Sequence, residues 1–206
     1  MVNPIHCLIR LCVKIYKKNE ERKYLNLVDG NPKDALIMYP CVITKHDGDL
    51  FEMGDNATIL PDARIQLYSD LVGKHISVRI GQNCYIGRRF TVLGAGNVTL
   101  GESVLIADDV MIDTKNHGMN PLSEVPYMNQ KLCDVNDVVI ANGTWIGAKV
   151  TILNGVKIGK KCVIAAGAVV TNSIPDYCIA AGIPARIVKK YNFENKEWEL
   201  IKDDLS

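Results

Sequence analysis

The chain has 206 residues and a formal net charge of +1, which makes no case for nucleic acid or for a strongly acidic partner. It is 48% hydrophobic but only 6% aromatic, so a sizeable core must be packed from Val, Ile, Leu and Ala, the palette of a β-solenoid. No apolar run reaches the ~18 residues of a membrane span, and no secretory leader pattern is expected at the N-terminus.

Residues 4–20 predict an amphipathic helix. Ile5, Leu8, Ile9, Cys12, Val13 and Tyr16 fall at helical spacing, and His6, Arg10, Lys14, Lys17 and Lys18 form a basic remainder. Two readings stay open. The helix caps the open end of a solenoid, or it makes peripheral contact with an anionic membrane surface at the inner face. Residues 30–58 read as irregular, with Gly30, Pro32, Pro40 and Gly48 as breakers. The expected division is therefore a helix and cap over 1–58, a repeat domain over 59–190 and a short C-terminal helix over 191–206. That last helix rests on the spacing of Phe193, Trp198, Leu200 and Ile201.

From residue 59 the chain carries a six-residue repeat. Ile59, Ile65 and Leu71 open it, and Ile80, Ile86, Val92 and Val98 continue it. Leu100, Ile106 and Ile112 follow, then Ile140, Ile146, Ile152, Ile158, Ile164 and Val170 without a slip. Four residues after many of these stands a second small or apolar residue, such as Cys84, Phe90, Val104, Val150 or Ala168. The residue directly after is often Gly or Ala, as at Gly81, Gly87, Ala107, Gly147 and Ala165. A helix would recur at three and four, and a half-buried strand at two. A period of six fits a short strand followed by a tight corner. Three such units close a triangular coil, and coils stack at ~4.8 Å. The fold class expected is all-β, a parallel β-helix. Residues 118–137 leave the repeat, and a long loop in a regular solenoid is usually functional.

The seven cysteines (7, 12, 41, 84, 133, 162 and 178) show no C-x-x-C spacing and read as small packers in a reduced, cytoplasmic setting. Four histidines stand at 6, 46, 75 and 117, and only His117 sits at the end of a repeat, just before the extruded loop. An imidazole there can take a proton from a hydroxyl near neutral pH. The plainer reading is a surface histidine with no task.

The segment from about 80 to 190 resembles the hexapeptide-repeat (left-handed β-helix) acyltransferases. The resemblance lies in IDTKNHG before the loop and in the WIG, ILNGVKIG, AAGAVVT and GIPAR elements after it. It is closest to the O-acetyltransferases of surface polysaccharide and O-antigen biosynthesis, and left-handedness follows from the resemblance alone. The resemblance implies a homotrimer with acetyl-CoA in clefts between subunits and His117 as general base. It also implies cofactor contacts at Trp145, Ala148, Ala166, Thr171, Asn172, Arg186 and Lys189, with no metal. Asn172 stands where the family often has lysine. Thr114 and Lys115 stand where polysaccharide enzymes often show Asp-His, so His117 lacks that aspartate, and Asp113 is the alternative orienter. Gly87 and Ala95 occupy positions where the galactoside branch binds its acceptor through Asn and Asp. Tyr85, Arg88, Arg89 and Asn116 are the candidate acceptor contacts, or else solvated corner residues.

The function implied is acetyl transfer from acetyl-CoA to a sugar hydroxyl of a surface polysaccharide, an O-antigen or its precursor. A xenobiotic O-acetyltransferase of the same fold and a non-catalytic structural solenoid are the alternatives. A γ-type carbonic anhydrase would need three converging histidines, and none lies between 76 and 116.

Overall fold

The computed structural model describes Ile15, Lys18, Asn19, Glu21 and residues 23–201. The amphipathic helix expected over 4–20 falls largely outside these residues; Ile15, Lys18 and Asn19 within it are helical and exposed.

The repeat folds as a parallel β-helix with three sheets as its faces. One face runs through Leu36–Ile37, Thr58–Ile59, Tyr85–Ile86, Leu105–Ile106, Trp145–Ile146, Val163–Ile164 and Cys178–Gly182. The second runs through Cys41–Thr44, Ala63–Leu67, Thr91–Gly94, Met111–Asp113, Thr151–Leu153 and Val169–Val170. The third runs through Leu50–Met53, Ser77–Ile80, Val98–Leu100, Val138–Ile140 and Lys157–Ile158. Parallel registry places like on like. Ile37, Ile59, Ile86, Ile106, Ile146 and Ile164 form one continuous ladder, each fully buried. Val92, Ile112, Ile152 and Val170 form another.

Each corner follows from the repeat. Three positions after the inward Ile, the backbone turns left-handed, with φ of 57° at Asn83, 56° at Arg89, 63° at Asp109 and 59° at Lys149. The glycine next to the inward residue is required by close approach rather than by φ. A Cβ on Gly81 would meet the carbonyl of Gly101 one coil on, and one on Gly147 would lie 2.6 Å from the Ala166 nitrogen.

Three features depart from the sequence expectation. The first coil forms from Leu36–Ile37, Cys41–Thr44 and Leu50–Met53, inside the stretch read as irregular. Its Pro and Gly residues mark corners between strands. Leu71 is not part of the repeat. It lies in a short helix, α1 (Ser69–Val72), that leaves the solenoid and is closed by Gly73 in the left-handed region, and it is 55% exposed. Finally, the described residues after the last coil form no C-terminal helix. Cys178–Gly182 pairs antiparallel with Ala185–Asn192, which pairs with Glu197–Leu200. Tyr191 and Trp198 are cross-strand partners with rings 5.3 Å apart, and Phe193 packs edge-on against Tyr191 and Tyr177. Aromatic pairing across strands, with an Asn-rich turn in which Asn192 and Asn195 accept N–H groups two residues on, outweighs the helical spacing.

Candidate active site

His117 leaves the solenoid at the edge between the second and third faces. Its neighbour Thr114 is fully buried and fixes the departure: its hydroxyl accepts the N–H groups of Ala95 (2.8 Å) and Gly96 (2.9 Å). A threonine here is a backbone clamp. Asp113 does not orient His117. Its carboxylate accepts the N–H of Lys115 at 2.8 Å, and the Lys115 ammonium lies 4.6 Å from the centre of the Tyr68 ring.

The extruded loop is an ordered unit. His117 and Leu132 form an antiparallel bridge at its neck, with the Cys133 N–H donating to the Asn116 carbonyl at 2.8 Å and the Gly118 N–H to that of Lys131 at 3.0 Å. Gln130 staples the inside. Its amide oxygen accepts the Asn120 N–H at 3.1 Å, and its amide nitrogen donates to the Val125 carbonyl at 3.0 Å. The return leg is held by Asp137, which accepts the Asn97 N–H at 2.9 Å, and by Asn154, which accepts the Asn136 N–H at 2.7 Å. His117 is left exposed at the neck. Cys133 is the one thiol beside it among the described residues. Partial desolvation, then the charge of Asp134, pushes that thiol above its ordinary value.

The expected cofactor residues lie on other parts of the surface. Ala148 and Ala166 stack along the edge between the first and second faces, where Arg88 and Asp108 precede them. At Arg88 the corner N–H is capped by the Asp108 carboxylate at 2.8 Å, and at Lys160 by Asp176 at 2.9 Å. Alanines in place of such acids leave the N–H groups of Asp108 and Ala148 without a protein partner among the described residues. Trp145 projects from the first face, 50% exposed, in a ladder with Tyr85 and Leu105. Thr171 and Asn172 stand on the edge of His117 but two coils further on, and the Asn172 amide donates to the Thr171 hydroxyl. Arg186 is exposed and Lys189 half-buried on the strand that follows the Gly182–Ala185 turn. Neither has a carboxylate partner among the described residues.

The arginines proposed for the acceptor are committed elsewhere. Arg88 meets Asp62 at 2.9 Å, and Arg89 grips Asp109 through two nitrogens, so both knit neighbouring coils at an edge that His117 does not share. Tyr85 is likewise on a different face from His117. Asn116 is beside it, at the neck of the loop. His46 pairs with Asp70, and His75 packs against Gly48, both beside the α1 excursion.

Three-sided coils, a buried Ile or Val every sixth residue and left-handed corner residues define the hexapeptide-repeat solenoids. The sequence profile of the bacterial transferase hexapeptide (six repeats) matches residues 137–172. The chain is 34% identical over 170 residues to WbbJ of Escherichia coli K12, assigned as a lipopolysaccharide biosynthesis O-acetyl transferase, covering 80% of this chain and 83% of that one. It is 31% identical to the galactoside O-acetyltransferase of Escherichia coli K12, covering 85% and 88%. Among solved structures, the polySia-specific acetyltransferase NeuO superposes with a TM-score of 0.63 at 28% identity, over 82% of this chain and 72% of that one. The N-acyltransferase AntD of Bacillus cereus shares the fold at 17% identity with a TM-score of 0.63, over 80% and 84%. The protein belongs to the hexapeptide-repeat acyltransferase family. Its solenoid is the left-handed β-helix.

Proposed function

We propose that the protein is an acetyl-CoA-dependent O-acetyltransferase acting on a sugar hydroxyl of a surface polysaccharide, an O-antigen or a precursor of one. The observation that carries this reading is an exposed histidine bridged to the neck of the one long ordered loop in the repeat. Relatives named for lipopolysaccharide, galactoside and polysialic acid O-acetylation support a saccharide acceptor. Solved relatives in complex with CoA or an acyl-CoA support the donor.

In the proposed reaction, an imidazole nitrogen of His117 takes the proton of the acceptor hydroxyl. The hydroxyl oxygen attacks the thioester carbonyl, the new C–O bond forms, and the C–S bond breaks. The departing CoA sulfur recovers the proton from the imidazolium. The free N–H groups of Asp108 and Ala148 suit the amide carbonyls of the pantetheine arm, and Arg186 and Lys189 suit its phosphates.

His117 and the alanine edge occupy different edges of one triangular prism. A cleft that holds both requires a second copy of the chain, and a cyclic trimer gives three equal clefts. This geometry supports the homotrimer.

The test is a transfer assay with labelled acetyl-CoA against polysaccharide fragments, nucleotide sugars and a panel of hydroxyl-bearing antibiotics. Label in a saccharide is the expected result. Label only in an antibiotic would move the enzyme to xenobiotic modification, and CoA binding without transfer to any of them would remove the enzymatic reading of His117.

A further inference from the structure

The two largest breaks in the repeat fall at the same edge. The first is the excursion through α1 and the turn after it; the second is the extruded loop. They face each other across a groove. Leu71, Val72 and Lys74 form one wall, and Lys131, Leu132 and Val135 the other. Lys74 and Val135 also line its continuation, which runs on to Lys157. Leu132 is the bridge partner of His117, and residues directly opposed in a bridge present their side chains on the same face. The groove therefore leads to the proposed base. Insertions gathered on one side of a solenoid are where such folds bind their ligands.

The chemistry of the groove is specific. Its apolar patches match the hydrophobic face of a sugar ring. Lys74, Lys131 and Lys157 have no carboxylate within ion-pair distance among the described residues, and Lys115 stands close by against Tyr68. Two acids also line the groove, Asp134 and Asp137. Asp137 is turned onto Asn97, from which it accepts the backbone N–H and the side-chain amide. Asp134 lies at the Cys133 thiol, and neither acid is within ion-pair distance of the three lysines, which leaves them available to an outside anion.

Resting on the O-acetyltransferase reading above, we infer that the acceptor is an acidic saccharide, carrying a carboxylate or a phosphate beside the acetylated sugar, and that Lys74 and Lys131 recognise its charge. These lysines position the acceptor; they do not take part in proton transfer. Their effect belongs in acceptor affinity and KM.

The experiment compares three ligands on the intact protein: a uronic-acid oligosaccharide, its carboxyl-reduced neutral counterpart and a sugar phosphate. Binding is read by calorimetry and transfer by kcat and KM. At least one acidic ligand should bind more tightly than the neutral one, and the arm that does so identifies carboxylate or phosphate. Lys74→Ala and Lys131→Ala should each weaken that binding about three- to fivefold, as for exposed ion pairs. They should raise acceptor KM while leaving kcat, acetyl-CoA KM and neutral-ligand binding unchanged, and Lys131→Arg should restore affinity. Equal binding of acidic and neutral ligands, or lysine variants that weaken both alike, would overturn the inference. Charge-selective binding that the lysine variants lose, without acetyl transfer, would keep the lysines as a site for an acidic saccharide and refute the O-acetyltransferase reading instead.

Discussion

Asp49 ties the first coil to the excursion of the second. It is almost fully buried, and its carboxylate accepts the Ser69 hydroxyl at 2.8 Å, the Ile76 N–H at 2.9 Å and the His46 N–H at 3.0 Å. Burial alone would raise its pKa. The Ile76 and His46 N–H groups and the Ser69 hydroxyl outweigh burial and hold it below the ordinary carboxylate value. A folded value below the unfolded ~3.9 means the stabilisation is complete above that pH and is lost as pH falls through the folded value. Asp29, lowered by Lys45 and by the Phe51 N–H, acts with the same sign. Asp49→Asn should cost about 1–3 kcal/mol at neutral pH and flatten the acid limb of stability. Denaturant titrations at neutral pH and at about pH 3 check both effects. At this scale the sequence could mark His117, because a histidine at the end of a repeat is visible in one dimension. It could not assign Arg88 and Arg89 to Asp62 and Asp109, nor bring Lys74 to Lys131, because those pairings depend on which corner stacks on which.

Among the elements, the regular strands were readable and the excursions were not. Ile140 to Val170 keep a period of six because each inward position sees the same environment. Leu71 keeps the same count from Ile59 and Ile65 by coincidence, since a helical excursion intervenes before the coil resumes at Ser77–Ile80. In the C-terminal segment Phe193, Trp198, Leu200 and Ile201 suit a helix as well as a strand with an aromatic partner. Only the register of Tyr191 on Trp198 decides. Trp198→Ala should therefore destabilise the terminal hairpin by about 0.5–1.5 kcal/mol beyond its lost area. Faster amide exchange confined to Ala185–Leu200, with the coils unchanged, is the expected signature. Gln130 plays the equivalent role in the extruded loop. Gln130→Ala should raise acceptor KM and leave CoA affinity unchanged, as measured by calorimetry alongside steady-state rates.

For the whole molecule, the solenoid is a ruler that sets His117 on one edge and Ala148 and Ala166 on another; in the proposed function these are the acceptor and donor elements. The fold was almost fully legible, because stacking like residues imposes its period on the sequence. The placing of His117 and of Ala148 and Ala166 on different edges was not legible, because it depends on which corner of the coil each residue occupies. If the cleft is shared between copies, chains carrying His117→Ala and chains carrying Ala148→Glu, each inactive alone, should regain part of the activity when refolded together. No recovery on mixing would argue for a site within one chain. The most direct measurement is acetyl transfer by His117→Ala beside its affinity for CoA. A fall in kcat of about 10²–10⁴-fold with CoA affinity unchanged is the expected result. Transfer at the wild-type rate would contradict the assignment of His117 as the base.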